Sequence, residues 1–170
     1  RLYRSHGITK TKLWDSDMSL LGYNYRITDV ACALGLSQLK KLDDFIAKRN
    51  EIAKFYDEKF SGCEYFKTIT IPANTTSSRH LYPVLLDEKF WDKKEQIFEA
   101  LLQKGVGVQV HYKPTYKFSF YKALLGEISL PNAEKFYSSE LSLPCHHGMS
   151  VGDAKFVAST LFDVLKSFSE

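Results

Sequence analysis

Two clusters in this sequence carry side chains able to hold an anion or a polar ligand. Gly22, Tyr23, Asn24, Tyr25 and Arg26 stand immediately before Thr28 and Asp29, where a helix is expected to begin. Free N–H groups and the positive end of a helix dipole favour a negative group there. Asn24 adds an amide donor, and Arg26 adds a fork shaped for phosphate or carboxylate. An ordinary helix lead-in with packed tyrosines would use the same residues, so both readings stand. The other cluster is His111, Tyr112, Lys113 and Pro114, expected at a strand's exit. A ring able to stack on a base, a point charge able to face a diphosphate and a chain-turning proline would make a ligand rim. A strand end with solvated polar side chains is the plainer alternative, and the residue types alone favour it.

Other chemistries find less support. Of the five histidines, His6, His80, His111, His146 and His147, only the last two are close in sequence. Neighbours on extended chain point apart, and no Cys/His spacing matches a zinc site, so no metal is expected. Cys145 precedes His146, but adjacency is not the geometry of a nucleophile and its base. It reads as a buried thiol at a strand end. There is no G-x-S-x-G elbow, no P-loop and no dinucleotide fingerprint, so any phosphate must be held by scattered donors.

The elements that must position these clusters can be read from periodicity. Thr28 to Phe60 is expected to be mostly helical, with Thr28 as N-cap and a break near Lys40 to Asp43. Ile27, Val30, Ala31 and Leu34 mark one apolar face, and Leu42, Phe45, Ile46, Ile52, Ala53, Tyr56 and Phe60 continue it. Gly35 inside the first helix suggests close approach of another backbone. Ile71 to Arg79 reads as loop, and His80 to Leu86 as a strand that Pro83 pushes to an edge or bulge. Asp92 and Glu95 suggest a capping box opening a helix that Gly105 stops. Val106 to Tyr112 alternates as a half-buried strand ended by Pro114. Short helices are expected over Tyr116 to Leu125, closed by Gly126, and after Pro131, capped by Asn132. Leu141 to Pro144 reads as a third strand. Ser150 and Asp153 form a second capping box before an amphipathic helix. This order suits an α+β fold: a small sheet with helices on one face, preceded by a long helical arm that needs another surface to cover its second flank.

Composition bounds the partners. The chain has 170 residues, with 23 basic against 20 acidic side chains and a net charge of +3. That balance is too even for a chain built to coat nucleic acid or an acidic membrane. Hydrophobic residues at 44% and charged residues at 25% exclude whole-chain disorder. No apolar run approaches the ~20 residues of a membrane helix, so neither nucleic acid nor membrane is an expected partner. Cys32, Cys63 and Cys145 are odd in number and widely spaced, which fits a reducing cytoplasm. Arg1, Arg4, Lys10 and Lys12 precede any acid, and that stretch reads as a loose edge or as a loop that meets an anion. The start at Arg1 rather than Met suggests a portion of a longer protein.

Taken together, Gly-Tyr-Asn-Tyr-Arg-Ile-Thr-Asp at 22–29, Ala33-Leu34-Gly35, Gln38-Leu39, the preceding Arg4-Ser5-His6-Gly7, and the later His111-Tyr112-Lys113-Pro114 and Leu143-Pro144-Cys145-His146 resemble the DegT-type, vitamin B6-dependent sugar-nucleotide aminotransferases. The resemblance spans essentially the whole chain. His80-Leu81-Tyr82-Pro83, the 111–114 block and Leu141 to His146 are most similar to the branch acting at C4 of a UDP-linked 4-keto-6-deoxy-N-acetyl hexosamine. That branch serves pseudaminic acid-type surface glycans such as those of modified flagellin. The resemblance implies pyridoxal 5′-phosphate as cofactor, glutamate as amino donor, a UDP-sugar substrate, a cytoplasmic homodimer and a fold-type-I architecture.

On this reading residues 1–27 are the tail of the large cofactor-binding domain, 28–61 are helices linking the domains, and 62–170 are the small C-terminal α+β domain. The cofactor-holding lysine falls upstream of the matched segment. Lys113 lies in the wrong motif, and Lys10 and Lys12 fall after the expected position, so no catalytic residue is assigned within the chain. Asn24 resembles the amide that reaches cofactor phosphate or substrate, and Arg26 a neutraliser of nucleotide phosphate. His111, Tyr112, Lys113 and Pro114 resemble the substrate-binding rim. His147 departs from the Pro many relatives carry there, and Cys32 and Cys145 have no part in this chemistry. The alternative is a non-catalytic module for sugar-nucleotide binding or dimerisation.

Overall fold

The computed structural model describes residues 1–169. Its chain divides into two compact units, Arg1–Leu42 and Asp43–Glu170. The first unit holds an antiparallel hairpin, β1 (Ile8–Lys10) and β2 (Ser16–Met18), followed by α1 (Asp29–Leu39). The hairpin was not legible as strands, because its six ladder residues lack an alternating apolar face: five are exposed and one is half-buried. Thr28 caps α1 as expected, its hydroxyl accepting from the Ala31 N–H. Among the described residues nothing buries the expected apolar face. No α1 residue is buried, Val30 being 82% and Leu34 62% exposed. Gly35 likewise has no atom within 4 Å of where a Cβ would stand.

The helical run breaks where expected, at Lys40 and Lys41, and α2 (Leu42–Lys59) begins. It carries Ile52, Ala53 and Tyr56 into the core of the second unit, with Phe60 just beyond its end. That unit contains β3 (Phe66–Thr68), β4 (Tyr82–Leu86), α3 (Lys94–Gln103), α4 (Ser119–Leu125), α5 (Pro131–Ser139), β5 (Glu140–Leu143) and α6 (Val151–Ser167). The sheet order is β3-β4-β5, antiparallel throughout, which agrees with the α+β expectation. Its core combines Tyr82, Val84 and Leu86 of β4 with Ile97 and Leu101 of α3 and Ala154, Ala158, Leu161 and Leu165 of α6. Ser150 and Asp153 cap α6 reciprocally, as their spacing predicts.

Three differences from expectation have identifiable causes. The first concerns Pro83, which lies on the central strand rather than at a nominal edge. Ser142, its partner in the register, exchanges both backbone bonds with Gln109 on the other side. Pro83 and Ser142 are therefore a non-hydrogen-bonded pair, and the Pro83 nitrogen faces the β3 side. The next β3 rung would be Ile69 to Pro83, where proline has no N–H to donate, so β3 stops at Thr68.

The second concerns Val106 to Tyr112, where burial alternates as expected only from Val106 to Gln109, Tyr112 being exposed, and which forms only one bridge, Gln109 to Ser142. The rung on one side would need Pro144, which has no N–H and whose carbonyl accepts the Tyr56 hydroxyl at 3.0 Å. The rung on the other side is replaced by a side chain: the His111 N–H donates to Glu140 Oε2 at 2.8 Å.

The third concerns caps. Asp92 does not cap α3. The chain enters through a tight turn at Glu88–Phe90 that Asp87 caps instead, and Lys93 precedes the helix with no side-chain cap. Asn132 lies inside the first turn of α5, where Pro131 takes the first position and Glu134 Oε1 accepts from the Leu130 N–H.

Leu161 is fully buried, so Leu161→Ala is expected to lower stability by about 2–5 kcal/mol in chemical denaturation. The backbone N–H and hydroxyl of Ser150 hold the Asp153 carboxyl below its ordinary value. Its contribution is therefore complete above the unfolded-state pKa of about 3.9 and lost as pH falls through the lower folded-state value. Asp153→Asn should destabilise at neutral pH, and the difference from the native protein should shrink in acid melts.

Candidate functional site

The Asn24 cluster is set by a close backbone crossing in the first unit. A Cβ on Gly22 would stand 2.1 Å from the Gly7 nitrogen, and one on Gly7 would stand 1.8 Å from the Leu20 oxygen. Only glycines permit that approach. It aligns residues 23–25 with 3–6: the Tyr23 N–H donates to Tyr3 O at 2.6 Å, the His6 N–H to Tyr23 O at 2.9 Å and the Tyr25 N–H to Arg4 O at 3.0 Å. Asn24 is thereby bridged to Ser5, and Tyr23 stacks on Tyr25 at 5.1 Å. The tyrosines pack on each other while remaining exposed, and the polar groups of Asn24 and Arg26 stay outside.

Arg26 Nε donates to Asn24 Oδ1 at 3.4 Å. That bond leaves the Asn24 NH2 and the outer guanidinium N–H groups as donors. Arg26 has no carboxylate partner among the described residues. This donor set fits a phosphate, whose oxygens only accept.

In the second unit, the 111–114 segment leaves the core at the end of the Gln109 bridge. His111 is half-buried, while Tyr112 is 72% exposed and packs edge-on to the His111 ring at 4.6 Å. Lys113 Nζ lies 5.9 Å from the Phe118 ring centroid, within cation–π range. A basin is lined by Lys113, Tyr116, Lys117 and Lys122. Lys117 pairs with Glu134 at 3.4 Å and Lys122 with Glu127 at 2.7 Å. Lys113 has no ion pair among the described residues, so its charge stays available. Pro114 ends the extended stretch and leads into a tight turn at Thr115–Lys117.

Sequence reasoning missed Glu140 and Ser142 as part of this cluster. Glu140 is 1% exposed, and its carboxylate accepts from the His111 N–H and, at 2.5 Å, from the Ser142 hydroxyl. Ser142 Oγ in turn lies 2.9 Å from His111 Nδ1. The signal available in sequence was an acid and a serine alternating with leucines, Glu-Leu-Ser-Leu, in a short strand.

The Cys145–His146 adjacency forms no reactive pair. The Cys145 thiol is 7% exposed and turns to the Arg49 and Arg79 carbonyls at 3.7 Å each. His146 Nδ1 accepts the Gly148 N–H instead. Burial pushes the thiol pKa up, against the lowering influence of Arg49 and Arg79. Among the described residues no three His, Cys, Asp or Glu side chains gather as metal ligands, and no helix is long and apolar enough to cross a membrane.

The sequence and fold have clear relatives. The model of the DegT/DnrJ/EryC1/StrS aminotransferase family matches residues 1–162. The chain is 63% identical to the UDP-4-amino-4,6-dideoxy-N-acetyl-beta-L-altrosamine transaminase of Campylobacter jejuni, over 98% of this chain and 44% of that protein. Its fold matches Helicobacter pylori PseC, an aminotransferase involved in the biosynthesis of pseudoaminic acid, with a TM-score of 0.90 and 38% identity over 98% of this chain and 45% of that one. It also matches the PLP form of the sugar aminotransferase Spr1654 of Streptococcus pneumoniae, with a TM-score of 0.88 and 28% identity over 98% of this chain and 42% of that one. The chain thus spans less than half the length of these relatives.

Since a thiol reacts as its thiolate, native alkylation followed by peptide mass analysis should label the half-buried Cys32 and Cys63 well ahead of Cys145.

Proposed function

Because this chain belongs to the DegT/DnrJ/EryC1/StrS aminotransferase family, we propose that it is the C-terminal part of a pyridoxal 5′-phosphate-dependent transaminase. The complete enzyme moves an amino group from glutamate to C4 of a UDP-linked 4-keto-6-deoxy-N-acetyl hexosamine. The observation that carries this reading is the likeness to the Campylobacter jejuni transaminase over nearly the whole chain. The product feeds pseudaminic acid-type surface glycans, including those of flagellin, and the enzyme works as a cytoplasmic homodimer. Residues 1–27 close the large domain, 28–61 link the domains and 62–170 form the small domain.

The cofactor, when bound, supplies an electron sink and a carrier for the amino group. This chain's residues bind and orient. Asn24 holds cofactor phosphate or substrate through its free NH2, and Arg26 offers its outer N–H groups to the nucleotide phosphates. Lys113, which has no carboxylate partner among the described residues, faces the diphosphate, and the exposed Tyr112 ring offers a stacking face to the uracil. His111 contacts the sugar nucleotide, and Pro114 fixes the turn that presents the rim. The lysine that holds the cofactor lies outside this chain, so the chain alone does not transaminate.

The test uses the complete enzyme, with amino transfer from glutamate to the UDP-4-keto sugar as the readout. Lys113→Ala and Arg26→Ala should each weaken UDP-sugar binding about tenfold, the worth of one charge-assisted hydrogen bond, as read by calorimetric titration. UDP-sugar binding without amino transfer in the complete, cofactor-loaded enzyme would instead favour a non-catalytic module.

A further inference from the structure

Glu140, Ser142 and His111 form a chain of hydrogen bonds whose direction can be deduced. An ionised carboxylate only accepts, and a serine hydroxyl has one proton to give. Ser142 Oγ gives that proton to Glu140 Oε1 at 2.5 Å. It therefore has none left for His111 Nδ1, 2.9 Å away, and that contact requires the proton on the ring nitrogen. The other carboxylate oxygen is engaged by the His111 backbone N–H at 2.8 Å, so the same acid fixes both backbone and ring. The Glu140 charge has a basic neighbour in Lys94, whose pKa burial lowers and the nearby Glu140 raises.

The far nitrogen of the ring stays open. No group among the described residues bonds His111 Nε2, and no buried side-chain nitrogen or oxygen in a described residue lacks a partner. Nε2 therefore reaches solvent, on the segment that continues into Tyr112 and Lys113.

We propose that Glu140 and Ser142 are positioning residues that hold the proton of neutral His111 on Nδ1, so that Nε2 is presented as a hydrogen-bond acceptor to a donor group of the bound UDP-sugar. This rests on the assignment of residues 111–114 as a substrate rim. Glu140 touches no substrate and acts through the ring. A second-row acid of this kind sets which ligands the rim accepts, because a ring with the opposite tautomer would present a donor in the same place.

The experiment uses the complete, cofactor-loaded enzyme labelled with ring-15N histidine, the His111 signals being identified by their loss in His111→Gln. The native enzyme should show Nδ1 protonated and Nε2 bare. In Glu140→Gln the amide donates to Ser142 Oγ, the hydroxyl turns to Nδ1 and the ring proton moves to Nε2. Ser142→Ala, a milder change should Glu140→Gln fold poorly, removes the partner that holds the proton on Nδ1. Both variants should raise the dissociation constant for UDP-N-acetylglucosamine about tenfold, the effect of one lost hydrogen bond. A native ring with its proton on Nε2 overturns the proposal, as does unchanged affinity in both variants while His111→Gln binds weakly. Unchanged affinity in His111→Gln itself removes the rim assignment, and the proposal with it.

Discussion

One pair of backbone hydrogen bonds, between Gln109 and Ser142, joins the extended stretch after α3 to the sheet. β5 is buried at all four positions, so its backbone groups have no water to turn to and must be satisfied by neighbours. β4 supplies them on one side. On the other side only a single rung can form, because Pro144 ends it above and the Glu140 carboxylate captures the His111 N–H below. That constraint releases the chain from the sheet at His111 and turns it outward as residues 112–114. A longer ladder would have kept His111 and Tyr112 as ordinary strand residues. The candidate rim begins where the ladder ends.

The buried acid is stabilised by the contacts it directs. A carboxylate at 1% exposure needs hydrogen-bond donors to replace the water it has lost. Glu140 has two donors within reach, one from the His111 backbone and one from Ser142, two residues on along the same strand, which also touches the imidazole. The Asp57 carboxylate plays a comparable part away from the site. It accepts from Tyr82 Oη at 2.6 Å and from Arg79 at 2.7 Å, and so secures the loop entering β4. Burial and this bond to Asp57 together raise the Tyr82 pKa far above its ordinary value.

Elements whose signal is local were legible in the sequence. The Thr28 cap, the break after Leu39, the Ser150–Asp153 box and the glycine stop at Gly126 each depend on a few adjacent residues. What escaped depended on pairing between distant segments. β3 is three residues long and is held by β4 rather than by its own pattern, and the 106–112 stretch has a strand's alternation without a partner able to complete the ladder. At the candidate site, residue types and spacing marked Asn24 and the 111–114 block. Glu140 and Ser142 became visible only when β5 was laid beside His111. The apolar residues of α1 show the converse: the periodicity was present, yet Val30 and Leu34 have no covering surface in this structure.

The proline in the middle of β4 has an effect outside this molecule as well. With no amide hydrogen facing the row where β3 has already ended, that stretch of the sheet offers a neighbouring polypeptide an acceptor but no donor. A three-stranded sheet with short members is otherwise open to such recruitment. Here a single imino acid removes the donor from the one β4 rung that lies beyond the end of β3.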